Sequence, residues 1–287
     1  MRPTLEENQF AFFFQHDLCN RQQTKRIEFA PVGQVLEARV GFDLGLLLPP
    51  EHSFWRIVGS APLPGMESLN WNRNLASKNA ISGKALNLFL QYKRSDYLFG
   101  NNAKYMNHFR GPYWQFKIDR TDNPPYPPQH NLLEELEAAT KGSALVRYVA
   151  PMCHTFQQLE ELHDNDSLLE NSIYVSPQNF KPAHKVCAFS GPTNVIVNPD
   201  PQSAEVDSWT QLEDRIIAMR DAATDAETLI MQTAEIVSLL GGHRTPDSGL
   251  LRGYRSSEPN ALWQVYLSTA EWMFRFNLYW FVALVPE

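Results

Sequence analysis

Cysteine is scarce in this chain: of 287 residues only Cys19, Cys153 and Cys187 carry thiols, and no two stand in a C-x-x-C spacing. That excludes a disulfide framework and a zinc knuckle, and it suits thiols kept reduced in a cytoplasm. Positive charge is short as well. With a formal net charge of −7, any nucleic-acid partner has to be held by a local patch and not by the molecule as a whole. Internal repeats and low-complexity tracts are missing. The N-terminus, MRPTLEENQFAFFFQHDLCN, has no basic region leading into an apolar core, because FAFFF is cut short by Gln15, His16 and Asp17; it does not read as a signal peptide. The most apolar stretch, ALWQVYLSTAEWMFRFNLYWFVALVP, is interrupted by Gln264, Glu271, Arg275 and Asn277. Charges at mid-bilayer depth are costly, so a buried terminal helix or strand is expected there in place of a membrane span.

What is present is ample apolar material. A hydrophobic content of 43% over this length can bury a large core. The twenty prolines fall in clusters that punctuate the chain. NQFAFFFQHDLC predicts a first helix, GQVLEARVG a short one, and FDLGLLL and SFWRIVG strands divided by PPEH. Residues 60–84, polar and rich in small side chains, read as an inserted loop. ALNLFLQYK then reads as a strand covered on both faces, GPYWQFKID as a second strand, and HNLLEELEAATKG as a helix closed by glycine. ALVRYVAP, HTFQQLEELH and NSIYVSP continue as strand, helix and strand, and HKVCAFSG with TNVIVNP as a strand pair. This alternation predicts an α/β fold with some parallel pairing. From Asp207 to Leu240 the pattern turns helical, with Trp209, Leu212, Ile216 and Met219 at helical spacing. The expected division is therefore an α/β core over residues 1–204 and a mostly helical C-terminal subdomain over 205–287.

The end of ALNLFLQYK raises the functional question. Gln91 and Lys93 are two apart on a strand and so point to one face. An amide and an ammonium at a strand end, with acids delivered from elsewhere, are the parts of a metal-dependent phosphodiesterase. The acids and the amide oxygen hold a divalent cation, and the lysine sits by the attacking water and the phosphate. Upstream, Glu37 lies in GQVLEARVG and Asp43 in the G-x-D of VGFDLGLLL, 91 − 43 = 48 positions before Gln91. G-x-D followed by a strand ending Q-x-K resembles the PD-(D/E)XK nuclease superfamily, in the Q-x-K variant of Mrr-like restriction endonucleases. The resemblance implies a restriction-endonuclease-like mixed central sheet flanked by helices. It also implies metal ligation by Glu37, Asp43 and Gln91, with Lys93 as catalytic lysine. Oxygen ligands of this kind take Mg²⁺ or Mn²⁺. A second pair, Gln115 and Lys117 in YWQFKI, competes for the same role.

Two other readings stand beside these. Between residues 78 and 120, Lys84, Arg94, Lys104, Arg110 and Lys117 are interleaved with aromatics, and only Asp96 and Asp119 interrupt. Such a patch can grip phosphates and stack bases, or be a solvated loop. Cys153 and His154 are sequence neighbours, and a helix start at His154 or Thr155 explains APMCHTF better than a nucleophile pair does. GGHRTPDSG lacks the G-K-[ST] of a phosphate loop. The function expected from these residues is a cytoplasmic, metal-dependent DNA endonuclease, by resemblance an effector of prokaryotic defence against phage and other foreign DNA. The alternative is a non-catalytic nuclease-like module that binds nucleic acid or a protein partner. In either case the aromatics between Trp263 and Phe281 offer a surface for a partner or a second copy.

Overall fold

In the computed structural model of the chain, residues 4–20, 27–31, 84–100, 103–121, 128–199, 201–240, 261–274 and 276–285 are described. The described strands are β1 (Glu28–Pro31), β2 (Lys84–Tyr92), β3 (Asp96–Leu98), β4 (Tyr113–Lys117), β5 (Ala144–Pro151), β6 (Ser172–Val175), β7 (Val186–Phe189), β8 (Val195–Asn198), β9 (Gln202–Ser203), β10 (Val206–Asp207) and β11 (Tyr279–Val285). The helices are α1 (Glu7–Asn20), the single turn α2 (Met106–Phe109), α3 (Gln129–Ala139), α4 (Phe156–Asp164), α5 (Trp209–Ala218), α6 (Ala226–Leu240) and α7 (Ala261–Phe274). The fold is mixed α/β with two sheets, hydrogen-bonded in the orders β1-β11-β2-β5-β6-β10 and β3-β4-β7-β8-β9.

Two compact units are assembled from interleaved segments. One comprises Met1–Arg21, Leu90–Ala138 and Leu145–Arg215; the other comprises Gln22–Phe89, Ala139–Ala144 and Ile216–Glu287. The expected boundary at 204/205 falls within the segment Leu145–Arg215 of the first unit. Among the described residues beyond Asp207 the chain forms α5, α6 and α7 and then β11, whose residues from Trp280 to Val285 are buried.

The first unit grows from β5, buried along its whole length, and from the end of β2. Beside them α1 is preceded by Glu6, whose amide donates to Gln9 Oε1 at 2.9 Å, half of a capping box. The helix sets Phe10 and Phe14 edge-on against Tyr92, with ring centroids 5.4 and 5.3 Å away. Helix α3 buries Leu132, Leu133 and Leu136 and ends before Gly142, whose φ of +82° needs glycine. Strands β5 and β6 are antiparallel, with Pro151 opposite Ser172 and Tyr148 opposite Val175. The parallel pairing expected of a strand-helix-strand run is therefore not made here: the excursion through α4 leaves and rejoins at one end of the sheet. The expected β7–β8 pair is present, also antiparallel. In the sheet that contains it, Tyr113, Phe109, Ala188 and Ile196 form a small core.

The predicted helix over 207–240 is interrupted at Ala223, whose backbone is extended, with α5 before the break and α6 after it. Helices α6 and α7 pack together beside β11. Phe89 and Tyr266 bracket Trp280, with centroids 6.3 and 5.3 Å from it. Among the described residues no helix is long and apolar enough to cross a membrane.

One buried charge network is confined to the first unit. Arg147, 5% exposed on β5, donates from Nε to Asp207 Oδ2 at 3.1 Å and from Nη1 to Glu137 Oε1 at 3.1 Å. Asp207 also accepts from Arg215 Nε at 2.5 Å, and Arg215 reaches exposed Glu205 at 2.6 Å. Removing one partner of a buried pair leaves an uncompensated charge, so Asp207→Ala is expected to cost about 3 kcal/mol or more in a urea unfolding titration. Glu205→Ala, at the exposed end, is expected to cost less than about 1 kcal/mol.

Candidate functional site

Alternation along β2 puts Ala85, Asn87, Phe89 and Gln91 on one face and Leu86, Leu88, Leu90 and Tyr92 on the other, and every residue from Ala85 to Tyr92 is buried. A polar group on such a strand has to find its partner inside the protein. Asn87 does so on both atoms: Oδ1 accepts from Trp280 Nε1 at 2.7 Å and Nδ2 donates to Thr233 Oγ1 at 2.8 Å. Gln91 and Lys93 do so through one residue, Gln129, which opens α3. Gln129 Nε2 donates to Gln91 Oε1 at 2.7 Å, and its Oε1 accepts from Lys93 Nζ at 2.8 Å. Gln91 Nε2 donates to the Tyr92 carbonyl at 3.2 Å, and the Lys93 amide continues the strand by donating to Val149 O at 2.8 Å.

The Lys93 ammonium lies in desolvated surroundings. Its Nζ stands 5.8 Å from the centroid of the Tyr148 ring. Burial lowers its pKa from the ordinary lysine value, and the carboxylates of Glu7 and Asp119 pull it part of the way back. Behind Tyr148 lies His130, wholly buried, with Nδ1 2.8 Å from the tyrosine hydroxyl oxygen and its ring parallel to the phenol. Burial, helped by the charges of Arg120 and Lys93, lowers the His130 pKa to about 4, so the imidazole is neutral near pH 7. Its Nε2 is 3.3 Å from Glu134 Oε1 but makes no hydrogen bond, which fits a neutral contact better than an ion pair. Burial likewise pushes the Tyr148 hydroxyl upward, so it stays protonated. The assembly is thus one desolvated cation, two carboxamides and two neutral rings, suited to offering positive charge and hydrogen bonds to an anion.

The structure sorts the sequence candidates. Gln91 and Lys93 both hydrogen-bond the Gln129 carboxamide. The competing pair does not share that setting: Gln115 is half-buried and Lys117 exposed, on β4 between β3 and β7. Glu37 and Asp43 lie outside the described residues, as do GGHRTPDSG and residues 60–83 of the segment 60–84 expected to be an inserted loop; Lys84 is the first residue of β2. Of the expected metal ligands the described residues therefore include Gln91 alone, with its oxygen already accepting from Gln129. Among the basic residues, Arg94, Lys104, Arg110 and Lys117 are exposed in the first unit. Arg94 lies 3.8 Å from Glu6, and the Lys104 ammonium covers the Tyr105 ring at 5.3 Å. Lys84 belongs to the second unit and donates to the Arg220 carbonyl at 3.3 Å. Cys153 and His154 serve packing: burial pushes the Cys153 thiol up to about 12, and the His154 ring stacks on Tyr97. Thr155 caps α4 by accepting from the Gln158 amide at 3.2 Å.

Sequence reasoning missed Gln129, His130 and Tyr148. The signal for Gln129 was its place at the start of the predicted helix HNLLEELEAATKG, one residue ahead of the histidine. It also missed His16, Asp17 and His163, whose ligating atoms all lie within 4.8 Å of one another.

The His130 environment generates a pH dependence. Its folded pKa, about 4, is below the ordinary 6.5, so between those values the unfolded chain holds more protons and stability rises with pH. Acidification from pH 6.5 to 4 is expected to lower the urea midpoint, and His130→Phe is expected to flatten that slope whatever its effect at pH 7. An equal slope in both proteins would contradict the assignment.

No protein-family model matches the chain, and no curated protein or solved structure does.

Proposed function

We propose that this chain is a metal-dependent nuclease in which Lys93 is the catalytic lysine and Gln91 its neighbouring polar residue. The observation that supports the reading is the setting of Lys93: a desolvated ammonium at the end of a buried strand, on the face of Gln91 and held by the Gln129 carboxamide. An ammonium in low-dielectric surroundings is worth more to a developing phosphate charge than one in water. Its lowered pKa also brings it nearer to accepting a proton from an attacking water. Gln129 would keep the ammonium oriented, and the exposed Arg94, Lys104, Arg110 and Lys117 would hold the backbone of a nucleic acid, DNA being favoured. Glu37 and Asp43, with the Gln91 oxygen, would hold Mg²⁺ or Mn²⁺, which supplies Lewis acidity toward the phosphate and water. The resemblance to Mrr-like enzymes extends the proposal to prokaryotic defence against phage and other foreign DNA.

A second reading has its own observation. Gln91 is wholly buried and both of its polar atoms are engaged within the protein, which suits a nuclease-like module that binds nucleic acid or a protein without cutting.

Cleavage of plasmid DNA with Mg²⁺ or Mn²⁺ separates them. The nuclease reading expects nicking or linearisation by the wild type, a loss of about a hundred-fold or more in Lys93→Ala and Asp43→Ala, and little change in Gln115→Ala. Cleavage that persists in folded Lys93→Ala sinks the assignment. Retarded DNA migration without cleavage, under either metal, selects the binding module.

A further inference from the structure

Apart from the Lys93 cluster, the described residues hold another place where titratable side chains converge and one polar atom is left unsatisfied. It lies between α1 and α4, within the first unit. Helix α1 carries His16 and Asp17 near its end, and α4 carries His163 in its last turn. Asp17 Oδ1 is 2.6 Å from His163 Nδ1 and 3.5 Å from His16 Nδ1. The two imidazoles meet edge to face, with centroids 5.0 Å apart. Phe13 packs edge-on against both His163, at 4.8 Å, and Phe156, at 5.9 Å, which limits how the His163 ring can turn.

The Asp17 side chain is only 9% exposed, and its second oxygen, Oδ2, is buried with no hydrogen-bond partner. A buried acceptor left without a donor is destabilising, the more so when it is charged. Burial also raises the carboxyl pKa, against the opposing pull of His163 and His16. A cation at this point would satisfy the orphan oxygen and remove that penalty.

We propose that His16, Asp17 and His163 form a binding site for a divalent transition-metal ion of the zinc class. Two imidazole nitrogens and one carboxylate oxygen are the donor types that Zn²⁺ accepts and Mg²⁺ does not favour. An ion about 2.1 Å from each ligand atom holds those atoms roughly 3–4 Å apart. The present spacing, all within 4.8 Å, reaches that with small side-chain rotations. On binding, the Nδ1 proton that His163 shares with Asp17 passes to solvent, and the freed lone pair ligates the ion. His16 is 37% and His163 23% exposed, so a solvent molecule can complete the coordination. Three protein ligands with an open position are the arrangement of reactive zinc sites and not of closed structural ones. The ion would also fasten α1 to α4. This site shares no residue with the Lys93 cluster and does not depend on its being catalytic.

The test uses the full chain, freed of metal by a chelator, and Zn²⁺ alone as the probe. Calorimetric titration is expected to give one ion per chain, with a rise in thermal midpoint on saturation. The affinity is expected to fall at least ten-fold in each of His16→Ala, Asp17→Asn and His163→Ala, and to be unchanged in His108→Ala. Co²⁺ in place of Zn²⁺ is expected to give a visible absorption band that His16→Ala weakens or shifts. Because His16 is the most exposed ligand, that variant reports on binding with the fold intact, as circular dichroism verifies. Absence of saturable Zn²⁺ binding by the wild type, or binding that His16→Ala and Asp17→Asn leave unaltered, overturns the site. Displacement of Zn²⁺ by excess Mg²⁺ overturns the metal class.

Discussion

Burial of β2 on both faces is the constraint from which much else follows. A strand so placed contributes heavily to the core through Leu86, Leu88, Phe89, Leu90 and Tyr92, but it gives its polar residues no access to water. Asn87, Gln91 and Lys93 are on the same face, and each is answered by a residue from another element: Trp280 and Thr233 for Asn87, Gln129 for the other two. Those answers fix the start of α3 and the register of Trp280. The opposite face is apolar apart from the Tyr92 hydroxyl, and Phe10 and Phe14 of α1 pack around the Tyr92 ring. One strand thus has one face held by specific hydrogen bonds and one by ring packing.

Local elements were legible in the sequence because their signals are local. Alternation and continuous apolar runs marked β2, β4, β5 and β6, and helical spacing with a closing glycine marked α3. Thr155 was recognisable as a helix start from its place ahead of FQQLEELH. Strand direction was not legible, since strand-helix-strand patterning does not say whether the chain returns to the end it left, and β5 and β6 turned out antiparallel. Of the candidate site, period two put Gln91 and Lys93 on one face, and the longer apolar run ahead of them was the reason to prefer them to Gln115 and Lys117. What joins them lay out of reach, because Gln129 is 36 positions beyond Lys93 and is brought back only by tertiary packing. The pairing of Asp17 with His163, 146 positions apart, is the same problem at greater length.

Desolvation acts with opposite sign on the ionisable groups of the first unit. It lowers Lys93 and His130 and raises Asp17, in each case toward the neutral form. The outcomes diverge with the partners. Lys93 has a carboxamide beside it and two more distant carboxylates that oppose the shift. His130 has a phenol beside it and no close anion bonded to it, so it is neutral. Arg147 shows the third solution: a cation that cannot lose its charge is surrounded by Glu137 and Asp207, and Asp207 in turn is shared with Arg215. An otherwise acidic chain thereby keeps a few cations inside by giving each a different kind of neighbour.

The position of β11 bears on how the chain is made. In the sheet it sits between β1 and β2, yet it follows every other described strand in the sequence. As the chain leaves the ribosome, β1 and β2 emerge long before the strand that separates them, so each carries an unsatisfied backbone edge for most of synthesis. Edges of that kind invite pairing with other nascent chains. The exposure of both edges lasts until β11, the last described strand, has emerged and can pair between them.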